Sequence, residues 1–102
     1  MEEKRSPHNH VKENEMRAKV LMYCKDVCPY CVMAERLLKT KGILEIEKIH
    51  VDMDENLLEQ MIEKTQRRTV PQIFIGNRHV GGYDDLSNLD KAGELDTLLQ
   101  KS

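Results

Sequence analysis

The three cysteines of this chain, Cys24, Cys28 and Cys31, all lie within one stretch of eight residues. No disulfide bond between them can join distant parts of the chain, so a disulfide framework does not hold the fold together. A chain of 102 residues must instead bury one modest hydrophobic core, and it has no room for a second. Cysteines that are clustered in this way indicate either redox chemistry or a metal site.

The pattern around the cysteines disfavours a metal site. Zinc normally takes four ligands, and neither a second Cys-x-x-Cys nor a His-x-x-x-His follows the cluster. His8 and His10 lie far from the cysteines along the chain, in a polar segment. We therefore expect no metal cofactor, and we expect Cys24 to be a small buried hydrophobic residue at the end of a strand.

Charge and aromatic content argue against several kinds of partner. The formal net charge is -2, so no basic surface points to nucleic acid or to an anionic membrane. The chain has no tryptophan and one phenylalanine, which is too few for an aromatic platform that stacks bases. No apolar stretch is long enough to span a bilayer, and residues 1–5 lack the apolar core of a secretory signal. We expect a cytoplasmic monomer without nucleic-acid or membrane partners.

Composition divides the chain into a tail and one domain. Residues 1–17 are charged and polar and show no apolar period, so they are predicted to form a disordered tail. The domain is predicted at residues 18–102, where apolar residues recur at strand and helix spacings.

The apolar periods predict the order strand, helix, strand, helix, strand, strand, helix. The strands are expected at 19–24, 45–52, 72–75 and 79–80, with a turn at 76–78. The first helix is predicted to begin at Pro29 and to end at Gly42, with Val32 in its apolar pattern. The second helix is predicted at 56–67 and the third at 86–99, where Gly93 interrupts it. Because a helix crosses between them, the first two strands must be parallel, whereas the tight turn makes the last two antiparallel. The sequence thus predicts an α/β fold, a four-stranded mixed sheet flanked by helices, with His50 and His79 solvated on its strands.

Cys28-Pro29-Tyr30-Cys31 falls at the junction between the first strand and the first helix. A helix start carries about half a positive charge and several unpaired amide donors. Thiolates are stabilised there, and the pKa of such thiols falls from about 8.5 to about 3.5–7.5. Pro29 suits the first helical position because it has no amide hydrogen. We predict that Cys28 faces solvent as the nucleophile and that Cys31, one turn into the helix, is the resolving thiol.

Three segments of the chain resemble the signature segments of glutaredoxins, in particular the compact bacterial dithiol class. They are residues 25–31 (KDVCPYC), 68–76 (RTVPQIFIG) and 81–86 (GGYDDL). The segments occur in the family's order and separations, and the resemblance covers about residues 18–100. It implies a thioredoxin fold and a glutathione-dependent thiol–disulfide oxidoreductase. The implied partners are glutathione, as reductant and co-substrate, and disulfide-containing or glutathionylated proteins.

The resemblance also implies which residues bind glutathione. The backbone of Val70, before a cis Pro71, pairs with the cysteine moiety in a short strand-like contact. Lys25 and Arg68 take the carboxylate at the glycine end, and the turn before the last helix takes the γ-glutamyl end through backbone amides and an acidic side chain. The implied glutathione-binding residues are Lys25, Tyr30, Arg68, Thr69, Val70, Pro71, Gly82, Tyr83, Asp84 and Asp85.

One position departs from the family pattern at the end of the second helix. Many glutaredoxins have a glycine where this chain has Gln66. A left-handed backbone costs glycine little but costs other residues more. We therefore expect Gln66 to make this turn in some other way.

Two other functions stay open. The same fold and thiols could receive electrons from thioredoxin reductase instead of glutathione. Some glutaredoxins instead hold a two-iron cluster between two monomers, using the first cysteine and glutathione. Pro29 argues against the cluster, because cluster-binding members usually have a different residue beside that cysteine.

Overall fold

A computed structural model of the protein describes residues 18–100. The predicted tail at residues 1–17, with His8 and His10, lies outside the described part of the chain, as do residues 101 and 102. Four strands and four helices follow the predicted order. They are β1 (Val20–Cys24), α1 (Pro29–Thr40), β2 (Glu47–His50), α2 (Glu55–Thr65), β3 (Gln72–Ile75), β4 (Arg78–Gly81), α3 (Tyr83–Lys91) and α4 (Leu95–Gln100).

The strands form one mixed sheet in the order β2-β1-β3-β4. β1 pairs with β2 in parallel and with β3 in antiparallel orientation, and β3 and β4 form an antiparallel hairpin. This confirms the predicted α/β fold and its strand directions. The turn is tighter than predicted, however, because Arg78 is already the first residue of β4 and only Gly76 and Asn77 lie between the strands.

Helices cover both faces of the sheet. On one face Met22 and Cys24 of β1 pack in a cluster with residues of α1, α3 and α4. On the other face Tyr23 of β1 packs with Met61 of α2. Successive strand residues point to opposite faces, so the alternation within β1 divides the core into these two clusters. Cys24 is buried, as predicted.

The prediction for the end of α2 was wrong. We expected Gln66 to avoid the left-handed backbone that glycine adopts easily, but Gln66 adopts it, with φ of 61° and ψ of 25°. That backbone costs an L-residue about 1–2 kcal/mol. Two hydrogen bonds offset the cost: the Gln66 amide donates to the Ile62 carbonyl at 2.7 Å, and its side chain donates to the Glu63 carbonyl at 3.0 Å.

Three further predictions, two about single residues and one about the length of a strand, were wrong. Val32 belongs to the exposed side of α1, because the helix packs through Cys31, Ala34 and Leu38 instead. β2 covers only 47–50 of the predicted 45–52, because the chain turns at residue 51. His79 is half-buried and hydrogen-bonded, whereas His50 is exposed as expected.

The topology brings three connections to one end of the sheet. β1 ends where β3 begins, since Tyr23 pairs with Gln72. β4 ends at the same edge, since Gly81 pairs with Ile73. The β1–α1, α2–β3 and β4–α3 connections therefore meet. Within residues 18–100, no helix has the length and apolar content needed to cross a membrane.

Candidate active site

Cys28 is the N-cap residue of α1, as the sequence predicts. Its backbone is extended, with φ of -147°, and its Sγ accepts a hydrogen bond from the Cys31 amide at 3.2 Å. Pro29 occupies the first helical turn, where an amide hydrogen would have no partner. No acidic residue lies in that turn, so nothing there neutralises the positive end of the helix dipole. The positive end of α1 therefore lies at the Cys28 sulfur.

The prediction that Cys28 faces solvent is wrong. The residue is only 7% exposed, because the α2–β3 connection lies against it. The Cys28 Sγ lies 3.9 Å from the Val70 carbonyl oxygen, within the range of a weak S–H···O hydrogen bond. A disulfide must therefore approach the sulfur along a defined path beside Val70.

Cys31 differs from Cys28 in its environment. It is 5% exposed and lies one turn inside α1, in the hydrophobic cluster. Burial, and after it the hydrogen bond with Cys28, raise the pKa of the Cys31 thiol to about 12, while a backbone hydrogen bond with Lys25 lowers it. Cys31 is thus a protonated thiol at neutral pH. These environments support the predicted roles, in which Cys28 attacks and Cys31 acts second.

Val70 presents its backbone to the site. The Val70–Pro71 peptide bond is cis, as the family resemblance implies. Within residues 18–100 no group accepts a hydrogen bond from the Val70 amide. A half-buried amide without a partner is available to a ligand that brings an acceptor.

A groove of about 360 Å³ begins beside Val70. The β1–α1 junction, the α2–β3 connection and the start of α3 form its walls. Its lining residues are Tyr30, Arg67, Thr69, Val70, Pro71, Gly82, Tyr83, Asp84 and Asp85.

Two contacts shape the groove. The rings of Tyr30 and Tyr83 stack with their centroids 6.2 Å apart. Farther along, Arg67 donates to the Asp85 carboxylate at 2.9 Å, and the Gly82 amide donates to the same oxygen at 2.9 Å. The hydrogen bond from Arg67, and after it that from Gly82, hold the pKa of Asp85 below its usual value, so Asp85 is an anion whose charge is already paired.

Gly81 allows this arrangement. Its φ of 117° is a conformation that residues with a side chain rarely adopt, and a Cβ there would overlap the Asp85 carboxylate. The two neighbouring glycines therefore have different roles: Gly81 ends β4 beside Asp85, and Gly82 is the N-cap residue of α3.

The structure brings most of the predicted glutathione-binding residues together but not all of them. Lys25 and Arg68 are exposed and do not line the groove. Arg67, which the sequence interpretation did not single out, lies there instead.

Residues 18–100 contain no group of three or more histidine, cysteine, aspartate or glutamate side chains arranged to hold a metal ion. The Cys24 sulfur lies 3.9 Å from each nitrogen of the His50 ring.

Comparisons with known proteins agree with the geometry. The family model described as Glutaredoxin matches residues 20–80, which is more than half of the chain. A protein of Neisseria meningitidis named glutaredoxin is 48% identical over 80 residues, covering 78% of this chain and 94% of its own. Glutaredoxin 3 of Escherichia coli K12 is 46% identical over 83 residues, covering 81% and 99%. The solution structure of a glutaredoxin from Brucella melitensis has a TM-score of 0.73 and 44% identity, covering 83% of this chain and 91% of that one.

Proposed function

Because this chain belongs to the glutaredoxin family, we propose that it is a glutathione-dependent oxidoreductase that reduces protein disulfides and glutathione mixed disulfides through Cys28 and Cys31. One observation carries the proposal. The Cys28 sulfur accepts an amide hydrogen at a helix start and lies beside the Val70 backbone, whose amide has no acceptor within residues 18–100. We further propose that the protein is cytoplasmic and acts as a monomer.

The simpler reaction needs only Cys28. Its thiolate attacks the glutathione sulfur of a glutathionylated protein, so that a Cys28–glutathione disulfide forms and the protein thiolate leaves and takes up a proton. The thiolate of a second glutathione then attacks the bound glutathione sulfur. Oxidised glutathione is released and Cys28 leaves as a thiolate. The hydrogen bond from the Cys31 amide stabilises the departing Cys28 sulfur, which favours this last step.

The second reaction uses both cysteines. Cys28 attacks a protein disulfide and forms a mixed disulfide with one protein sulfur while the other leaves. Cys28 then carries no thiolate, so a repulsion that raises the pKa of Cys31 is gone and Cys31 ionises more readily. Cys31 attacks Cys28 and releases the reduced protein. Two glutathione molecules then reduce the Cys28–Cys31 disulfide in successive exchanges.

The groove supports a definite orientation of glutathione. The Val70 amide donates to the cysteine moiety of glutathione, beside the Cys28 sulfur. The first amides of α3, at Tyr83 and Asp84, have no partner within the helix and bind the γ-glutamyl carboxylate. Asp84 binds the γ-glutamyl ammonium, because Asp85 is already paired with Arg67.

Arg67 is a further residue that we propose to bind a carboxylate of glutathione. It lines the groove, and a guanidinium has five donors, of which the contact with Asp85 uses one. Tyr30, Thr69, Pro71 and Gly82 shape the walls. Lys25 and Arg68 are exposed outside the lining and stay predictions of the family resemblance alone.

The two neighbouring arginines provide a matched pair of variants. We expect Arg67→Gln to raise the KM for a glutathione mixed disulfide about tenfold, the effect of losing one charge-assisted hydrogen bond. Arg68→Gln should change this KM less than twofold. Steady-state assays of both variants with a glutathionylated peptide measure the difference. A larger effect of Arg68→Gln would contradict the role proposed for Arg67 and favour Arg68, which the family resemblance implies together with Lys25.

The identity of the electron donor distinguishes the proposed function from the alternative of a redoxin that thioredoxin reductase reduces. The protein is oxidised to the Cys28–Cys31 disulfide and offered either glutathione with glutathione reductase or thioredoxin reductase, each with NADPH. We expect NADPH oxidation with the glutathione system and little with thioredoxin reductase. The reverse result would assign the chain to the reductase-coupled redoxins. Visible absorbance of anaerobically purified protein would instead indicate an iron–sulfur cluster.

A further inference from the structure

A fully buried glutamine lies directly behind the groove. Gln72, the first residue of β3, is 0% exposed. Its side-chain nitrogen donates to the Thr69 carbonyl at 3.0 Å and approaches the Thr69 hydroxyl at 3.3 Å. Its side-chain oxygen lies 2.8 Å from Nε2 of His79, on the neighbouring strand β4. The buried amide thus connects β4 to the residue before Val70.

The chemistry of these groups fixes the direction of each hydrogen bond. The Thr69 carbonyl can only accept, so the amide nitrogen of Gln72 must face it. The amide oxygen of Gln72 then faces His79 and can also only accept. Nε2 of His79 therefore carries the hydrogen. In the series of hydrogen bonds from His79 through Gln72 to Thr69, each bond thus has a defined donor.

The surroundings of His79 hold its ring in place. The ring lies against Phe74, with the centroids 5.0 Å apart. Burial, and after it the nearby Arg67 charge, lower the pKa of His79, while Asp85 raises it. The ring is neutral at pH 7, and its Nε2 hydrogen has one acceptor.

We propose that Gln72 and His79 are positioning residues for the reaction: they fix Thr69, and through it the Val70 backbone, in the place where glutathione must pair beside Cys28. The inference rests on the proposed function. It assigns a role to two residues that do not line the groove and do not contact Cys28. Thr69 is joined to Val70 directly, so a change in the Thr69 carbonyl moves the Val70 amide with it.

Two substitutions of His79 separate its hydrogen bond from its packing. His79→Phe keeps an aromatic ring against Phe74 but has no donor for Gln72. His79→Gln loses the ring but places an amide nitrogen at about the distance of Nε2 from the backbone. We expect His79→Phe to raise the KM for a glutathionylated peptide about fivefold, the effect of one neutral hydrogen bond, with kcat within twofold. His79→Gln should keep KM within twofold of the unchanged protein.

A second substrate distinguishes positioning from general damage. Bis(2-hydroxyethyl) disulfide has no peptide groups to pair with Val70, so its single-turnover reaction with Cys28, without glutathione, should be unchanged in His79→Phe. Equal losses with both disulfides, or no rise in KM with the peptide, would overturn the inference. Absence of deglutathionylation in the unchanged protein would instead refute the proposed function.

A measurement on the unchanged protein covers the case in which a variant fails to fold. Nitrogen-15 NMR of the histidine rings at pH 7 should show His79 neutral, with its hydrogen on Nε2. A ring protonated on Nδ1 alone would leave the Gln72 oxygen without its donor. That result, or a charged ring at this pH, would refute the inference without any substitution.

Discussion

Replacing Cys28 by serine is expected to lower both deglutathionylation and protein disulfide reduction at least about a thousandfold. Both proposed reactions begin with attack by the Cys28 thiolate, and a serine hydroxyl is scarcely ionised at neutral pH. Cys31 cannot replace it, because it is 5% exposed and lies inside α1 in the hydrophobic cluster, where burial raises its pKa and keeps disulfides away. Initial rates with a glutathionylated peptide and with an oxidised protein substrate measure the two losses.

Cys24→Ser is the matched control for this experiment. Cys24 is buried at the end of β1, and the proposed mechanism gives it no role. Its replacement should leave both rates within about threefold when the assay is run well below the melting temperature. Retained deglutathionylation in Cys28→Ser would remove Cys28 from its assigned role. A loss in Cys24→Ser as large as that in Cys28→Ser would implicate a third thiol.

Replacing Cys31 by serine is expected to separate the two activities. Reduction of protein disulfides should fall about a hundredfold, because an adjacent thiol has an effective concentration far above that of free glutathione. Deglutathionylation should stay within about threefold, since that route needs only Cys28. The serine amide still donates to the Cys28 sulfur, because this hydrogen bond comes from the backbone.

The same variant yields a second readout. During turnover with an oxidised protein, Cys31→Ser should accumulate a mixed disulfide that joins Cys28 to the substrate, visible as a covalent adduct by non-reducing electrophoresis or mass spectrometry. Equal losses of both activities would show that Cys31 also takes part in the reaction at Cys28. Full activity toward protein disulfides would show that glutathione resolves the intermediate unaided.

The amino-acid sequence predicted the parts of this molecule that follow local rules. Strand and helix spacings predicted the element order, and the crossover rule predicted which strands are parallel. Pro29 after a cysteine predicted the start of α1. These features depend on residues within a few positions of one another.

The remaining details depend on contacts between distant segments. Cys28 is buried in a cluster that draws residues from all along the chain, and its sulfur contacts Val70, which is 42 positions away. That Arg67 lines the groove and Arg68 does not depends on how the α2–β3 connection lies against the start of α3, and no local pattern around the two arginines decides it. Gln66 adopts a left-handed backbone because hydrogen bonds to α2 offset its cost, which a rule based on glycine preference overlooks.

The meeting of three connections at one end of the sheet has a consequence for when this protein becomes active. A nascent chain that has emerged only as far as α1 already carries both catalytic sulfurs, yet it lacks the walls that would hold a tripeptide. Those walls arrive with the α2–β3 connection and the start of α3, in the second half of the described chain. A growing chain is therefore a plain dithiol during most of its synthesis, and it gains selectivity for glutathione only when its final strands join the sheet.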